Sequence, residues 1–317
     1  MNTPTMNMQG GIEGFYQLTV RDAATGRITK QTKPFKNLIT NSGLDYFFIG
    51  FGGGQDPCLA GAYVGTGNTT PAYTDTTLTA FLAAINNGVN ASSPMVNWVY
   101  VAASGSVPPY WTSTGTWTFP VGSATGTLAE VGIGGYVSTS PNYLLQSHAL
   151  IVDGTGTPTT ITVLSTEELT LTYTLNLYWN VTTQTGSIDI SGVTYAISWL
   201  PYGLSGPTGG PSNPFAFNFV PQMTGYNGSL GTILTNPSGA SGSNPNTGSV
   251  AAYTVGSYFQ QATYTCPVGY MNLTGGITVI TVSHRYHKFQ IGFTPAIPKD
   301  NTYTFSFTIN FSLARYP

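Results

Sequence analysis

Between Glu168 and Trp179 apolar and polar side chains alternate: Leu169, Leu171, Tyr173, Leu175, Leu177 and Trp179 take one face, Thr170, Thr172, Thr174, Asn176 and Tyr178 the other. A period of two is the pattern of a strand buried on one side. The same alternation fills Tyr303 to Leu313. Each large side chain buried there is worth roughly 1.5–3 kcal/mol, so the C-terminus is structural. Gly14 to Val20 and Arg27 to Phe35 predict a hairpin around Asp22-Ala23-Ala24-Thr25-Gly26, whose glycine suits a positive φ. Further strands are predicted over 96–102, 115–120, 127–133, 145–152 and 159–164, twice around Gly192 within 187–200, then over 249–265, 277–282 and 286–293.

Two short stretches change period. After the polar Asn37-Leu38-Ile39-Thr40-Asn41 turn, Leu44, Phe47, Phe48 and Phe51 recur at helical spacing, and Gly52-Gly53-Gly54 ends the run. Asp75 stands where an N-cap belongs ahead of Leu78, Phe81, Leu82 and Ile85, which predicts a second helix closed by Asn86-Asn87-Gly88. From Pro201 to Gly248 the chain is dense in Gly, Pro, Asn and Ser, a loop-rich excursion or an arm laid on a neighbour. The expected fold is all-β: an antiparallel β-sandwich with two short helices near the N-terminus and a long loop-rich insertion. In chain order, residues 1–184 form the N-terminal sandwich, 185–276 the insertion or second subdomain, and 277–317 the strands that return to the sandwich.

Charge is scarce. Only 6% of the 317 residues are charged, against about 25% in an ordinary soluble domain, which suits a protein held in an assembly. Net charge is +3 over residues 1–36, −8 over 37–284 and +3 over 285–317. Arg21, Arg27, Lys30, Lys33 and Lys36 are therefore candidate partner-docking residues; the competing reading is lysine placed on strand edges to discourage pairing. The acidic total argues against nucleic acid as the main partner. The start, Met1-Asn2-Thr3-Pro4, lacks the features of a secretory signal, and no apolar run approaches the roughly 18 residues needed to span a bilayer. The expectation is synthesis in a cytoplasm and no membrane insertion. Cys58 and Cys266 leave one disulfide open, and no Cys/His spacing indicates zinc.

Little in the sequence suggests chemistry. The histidines are His148, His284 and His287; the last two, three apart on one strand, would point to opposite faces and could not share a metal. Glu167 and Glu168 would likewise diverge, which spoils a glycosidase pair. Glu130 lies inside an apolar run and is expected to be partly buried and paired, a structural carboxylate before a catalytic one. Gly65-Thr66-Gly67 lacks the helix and lysine that phosphate binding requires and reads as a turn. Trp111 and Trp199 are candidate glycan-stacking residues, with core filling as the alternative. No catalytic residue, metal site or cofactor is expected, and the chain is read as a non-enzyme.

Several stretches occur together in a recognisable order. The hairpin is followed by Phe35-Lys36-Asn37-Leu38-Ile39-Thr40-Asn41-Ser42-Gly43-Leu44-Asp45, then Val64-Gly65-Thr66-Gly67-Asn68-Thr69-Thr70-Pro71 and Thr74-Asp75-Thr76-Thr77-Leu78. Leu128 to Ile133, Pro158 to Leu164 running into Leu169 to Tyr178, and Phe293 to Lys299 complete the series. Over about residues 10–180 and 285–317 the chain resembles a family of tailed-bacteriophage virion proteins described as tail or tail-fibre associated. The resemblance implies an all-β, non-enzymatic building block of the particle, present in several copies and contacting other virion proteins. A tail fibre, collar or appendage subunit is the first expectation. A capsid decoration or head-fibre protein is the second, and a module that binds a host-surface receptor or polysaccharide the third.

Overall fold

The computed structural model describes residues 5–49, 59–86, 88, 94–95, 98–104, 106–136, 143–190, 192–202, 222–244, 248–284 and 287–317. In chain order the elements are β1 (Thr5–Asp22), β2 (Ile28–Gln31), β3 (Phe35–Lys36), β4 (Leu38–Ile39), helix α1 (Asn41–Ile49), β5 (Gly61–Gly65), β6 (Phe81–Ile85) and β7 (Trp98–Val101). Then come β8 (Tyr110–Phe119), β9 (Gly126–Leu128), β10 (Glu130–Tyr136), β11 (Tyr143–Leu150), β12 (Ile161–Val163), β13 (Glu167–Trp179), β14 (Gln184–Ile190) and β15 (Val193–Pro201). The last are β16 (Gln222–Tyr226), β17 (Ser241–Asn244), β18 (Gly248–Val250), β19 (Phe259–Cys266), β20 (Ile277–His284), β21 (His287–Ile297) and β22 (Phe305–Arg315). The protein is mostly β, as the alternation predicts.

The chain divides into two compact units, each drawn from three stretches: a hairpin unit (Gly11–Asn97, Thr112–Leu177, Ala314–Pro317) and a C-terminal unit (Met1–Gly10, Trp98–Trp111, Tyr178–Leu313). In the hairpin unit β1 pairs antiparallel with β2 and β3, with Tyr16 opposite Phe35 and Thr19 opposite Gln31. On its other side β1 neighbours β13, and β13 neighbours β8. A five-stranded sheet runs β4-β11-β10-β5-β6, and β9 pairs with β12. Tyr16 of β1 is fully buried. Its ring lies 4.9 Å from that of Tyr173, and its hydroxyl meets the Ser147 hydroxyl on β11. A buried phenol needs such a partner, and one side chain here joins apolar burial to a polar link.

Helix α1 forms where its sequence predicts. The Thr40 hydroxyl accepts the Gly43 N–H at 2.9 Å and donates to the Leu145 carbonyl at 2.7 Å, so it both caps the helix and ties it to β11. Leu44, Phe47 and Phe48 are buried. Gly43 allows the close approach, since a Cβ there would lie 2.0 Å from the Gln146 carbonyl oxygen. The Gly52-Gly53-Gly54 stop lies outside the described residues.

In the C-terminal unit a six-stranded antiparallel sheet runs β14-β15-β21-β20-β16-β17, and β18-β19-β22 pair with β1 beside β22. Register between β19 and β22 is unbroken from Phe259 opposite Ser312 to Cys266 opposite Phe305. The inward set Phe305, Phe307, Phe311 and Leu313 is buried, as its alternation requires.

Four expectations are corrected. Residues 75–85 form no helix: Phe81–Ile85 is β6, with Ala62 opposite Ile85 and Val64 opposite Ala83, while the Asp75 carboxylate accepts the Ala72 N–H and engages His148. A neighbouring strand with free backbone groups outcompetes a weak helical spacing. Residues 249–265 split into β18 and β19, and 127–133 into β9 and β10. His284 and His287 are not on one strand; they stand opposite each other across the β20–β21 hairpin. Within the loop-rich β insertion expected over 185–276, the stretch 201–248 carries the short strands β16 and β17 and a long non-strand segment between them, with residues 203–221 and 245–247 outside the described residues. Cys266 is a buried free thiol pushed up to about 11 by burial, and Cys58 lies outside the described residues.

A buried carboxylate–histidine–carboxylate cluster as candidate functional site

The hairpin unit holds a cluster of three titratable side chains, Asp75, Glu130 and His148. Pairing of β10 with β11 puts Gly132 opposite His148, and pairing of β10 with β5 puts Glu130 opposite Gly65. Glu130 and His148 are both fully buried. His148 Nε2 lies 3.0 Å from Glu130 Oε2, and Nδ1 lies 2.7 Å from Asp75 Oδ2 on the loop between β5 and β6.

The rest of that loop closes on the same carboxylate. Glu130 Oε1 accepts the Gly67 N–H at 3.1 Å and the Ala80 N–H at 2.7 Å, and Oε2 accepts the Thr79 N–H at 3.0 Å. Gly65 and Gly67 are glycines because a Cβ on either would lie 2.5 Å from Glu130 Oε1. The pattern Gly65-Thr66-Gly67 therefore cradles an internal carboxylate, where a phosphate loop would cradle a ligand. Tyr143 closes the apolar side: its hydroxyl accepts the Leu78 N–H at 3.2 Å, and its ring stacks on Tyr63 with centroids 4.3 Å apart.

Ionised carboxylates only accept hydrogen bonds, so both imidazole nitrogens donate and His148 is an imidazolium between two anions. Burial opposes that charge, but the hydrogen bonds His148 donates to Glu130 and Asp75, with their negative charges, outweigh it and raise the His148 pKa. Burial likewise pushes Glu130 upward, and the His148 bond with the Ala80 and Thr79 amides overcomes it to leave the carboxyl below its ordinary value. The arrangement can hold a loop. Its two ring nitrogens are directed at different carboxylates, and no group of three ligands fit for a metal ion occurs among the described residues.

A pH dependence follows from the directions of the two shifts. His148 contributes stability that is full below its unfolded value near 6.5 and is lost as pH rises through its raised folded value. Glu130 contributes stability that is full above its unfolded value near 4.3 and is lost as pH falls through its lowered folded value. Urea midpoints are expected to be highest between about pH 4.3 and 6.5, with the fall on the alkaline side absent from His148→Gln. A wild-type midpoint that climbs from pH 6.5 to 8.5 would contradict an imidazolium at this position.

The residues singled out by sequence are dispersed. Lys30 Nζ lies 3.1 Å from Glu167 Oε2, and Lys36 Nζ lies 3.4 Å from Glu13 Oε2. Arg21 donates to the Gly26 carbonyl within the hairpin turn, and Arg27 is exposed. Lys33 is exposed and lines, with Lys30, a groove of about 560 Å³. Trp111 is fully buried and so has no ring face to offer a sugar; Trp199 is half-buried, its ring above Gly186. The burial of Glu130 was legible from the apolar run around it. Its partners Asp75 and His148 carried no local signal.

Comparison of the chain with protein-family models, curated proteins and solved structures finds no match.

Proposed function

We propose that the protein is a structural component of a tailed bacteriophage particle, a tail fibre, collar or tail-appendage subunit that joins virion proteins without transforming a substrate. The sequence resemblance supports this reading. The structural observation that carries it is where the polar chemistry is directed: the buried side chains of His148 and Glu130 are engaged by one another, by the Asp75 carboxylate and by the backbone of the loop that carries Asp75. The sheet faces point the same way. Hydroxyl pairs Thr114–Thr174, Thr118–Thr170, Thr127–Thr162, Thr263–Thr308 and Thr265–Ser306 tie neighbouring strands with no charge. In this reading the sheets of each unit pack face to face as a β-sandwich, and strand edges and loops make the attachments.

The test is the position of the protein in purified particles of the phage that encodes it, by cryo-EM with an antibody fragment as marker. Density on the tail or its appendages is the expected result. Density on the head would replace the proposal with a capsid decoration or head-fibre protein, and absence from the particle would overturn it.

A further inference from the structure

Every sheet edge among the described residues but one is blunted. β4 and β3 have two residues, β9, β12 and β18 three, and β7 and β17 four. β2 has four and carries Lys30, while β6 pairs with β5 through a register shift between Val64 and Gly65. Short edges, charged edges and bulges are the usual defences against pairing with another chain. β14 is longer and unbulged, and its one charged residue is Asp189. It runs seven residues, Gln184-Thr185-Gly186-Ser187-Ile188-Asp189-Ile190, without Lys, Arg or Pro, and its register to β15 is unbroken from Gln184 opposite Trp199 to Ile190 opposite Val193. It is the terminal strand of its sheet, so its other side has no strand neighbour among the described residues.

The edge presents a defined set of groups. The hairpin closes with Ile190 opposite Val193 and Gly192 between them at φ +83°. In a tight hairpin the closing pair exchanges hydrogen bonds, and pairing alternates along the strand. Gln184, Gly186, Ile188 and Ile190 thus bond inward to β15, and Thr185, Ser187 and Asp189 direct N–H and C=O outward. Ile188 and Ile190 are buried on the core side, while Thr185, Ser187 and Asp189 are exposed.

We propose that β14 pairs antiparallel with β14 of a second copy of this chain, across a two-fold axis at Ser187. The choice of occupant follows from the register. Centred on Ser187, every outward residue meets an outward residue: Ser187 meets Ser187, and Thr185 meets Asp189 at both ends. The pairing makes about six backbone hydrogen bonds and sets no like charges opposite each other. The single carboxylate on each edge faces a hydroxyl, in the way Asp189 already meets the Thr194 hydroxyl of β15. A centre one residue away, on Gly186 or Ile188, still sets outward residues opposite outward ones but leaves only two such pairs within the strand in place of three.

Cysteine cross-linking of the full chain in solution reads this register directly. In the pairing the two Ser187 Cα atoms are about 5.5 Å apart, within disulfide reach, whereas the two Thr185 Cα atoms are about 14 Å apart. Ser187→Cys is expected to give a covalent dimer on mild oxidation, Thr185→Cys alone none, and a mixture of Thr185→Cys with Asp189→Cys a mixed dimer. Each is read against the unsubstituted protein, whose Cys266 is buried. Ser187→Pro removes an outward N–H that β15 does not use, so circular dichroism and the urea midpoint should hold while the mass by light scattering falls to that of one chain. Equal cross-linking at positions 185 and 187, no cross-linking at either, or an unchanged mass in Ser187→Pro would overturn the pairing. The inference shares with the proposed function only the idea of several copies side by side. A particle that contains the protein without this cross-link would remove the edge pairing alone, and a cross-linked dimer of a protein absent from particles would remove only the virion assignment.

Discussion

Glu130→Ala is expected to lower the unfolding free energy by about 3–5 kcal/mol, the range for removing one partner of a buried ion pair. The substitution deletes the acceptor for the Gly67, Thr79 and Ala80 amides and for His148 Nε2 in one step. Four donors, those of Gly67 and His148 buried, are left without their acceptor in a space crowded by Gly65 and Gly67. His148 loses one of its two counter-charges, so its folded pKa falls from its raised position. Glu130→Gln keeps the volume and one acceptor but directs an amide N–H at backbone donors or at the imidazolium, and it should recover only part of the loss. Because the pair acts as a unit, the double variant with His148→Ala should be less destabilised than the two single changes added, by 0.5–3 kcal/mol in a cycle of urea titrations. A loss below about 1 kcal/mol for Glu130→Ala would mean that the loop is held by something other than this carboxylate.

The same cluster shows what sequence reading could and could not reach. Alternation is a local property, so the strands around Leu169–Trp179 and Phe305–Leu313 were legible from their own residues, and so was helix α1 from Leu44, Phe47 and Phe48. Partners far apart in the chain are set by register. Asp75 and His148 are 73 residues apart, and Glu130 and Ala80 are 50 apart, and nothing within a window of ten residues marks them as neighbours. The misread helix at 75–85 has the same origin. Leu78, Phe81, Leu82 and Ile85 match a helical spacing, yet the strand pairing with β5 lies on residues 62–65, outside any local window. The two compact units likewise combine stretches that lie far apart in the chain, and contacts between such stretches leave no local mark. The glycines make the complementary point: Gly65 and Gly67 look like turn residues in the sequence, and their reason is the carboxylate of a strand 63 residues on from Gly67.

Packing in the same unit leads to the second large effect. Trp117 is buried on β8 with its indole N–H donated to the Ala60 carbonyl at 2.7 Å. Its ring lies over Gly115, where a Cβ would come within 2.8 Å of the Trp117 ring and 2.7 Å of the Met95 side chain. The tryptophan is the large member and the glycine the small member of an interlocked pair two residues apart on one face of the strand. Trp117→Ala empties the site and leaves the Ala60 carbonyl without its donor, and a loss of about 3–5 kcal/mol is expected in urea unfolding. Trp117→Phe separates the two contributions. Most of the ring volume stays and the carbonyl alone is orphaned, so the loss should fall to about 1–3 kcal/mol. Gly115→Ala tests the fit from the other side: overpacking a rigid indole displaces it or the strand, for a further expected loss of about 1–3 kcal/mol. If Gly115→Ala were neutral, the close approach would reflect slack in β8 and the glycine would be there for its backbone. If Trp117→Phe were as damaging as Trp117→Ala, the hydrogen bond to Ala60, which ties β8 to the chain entering β5, would outweigh the volume of the ring.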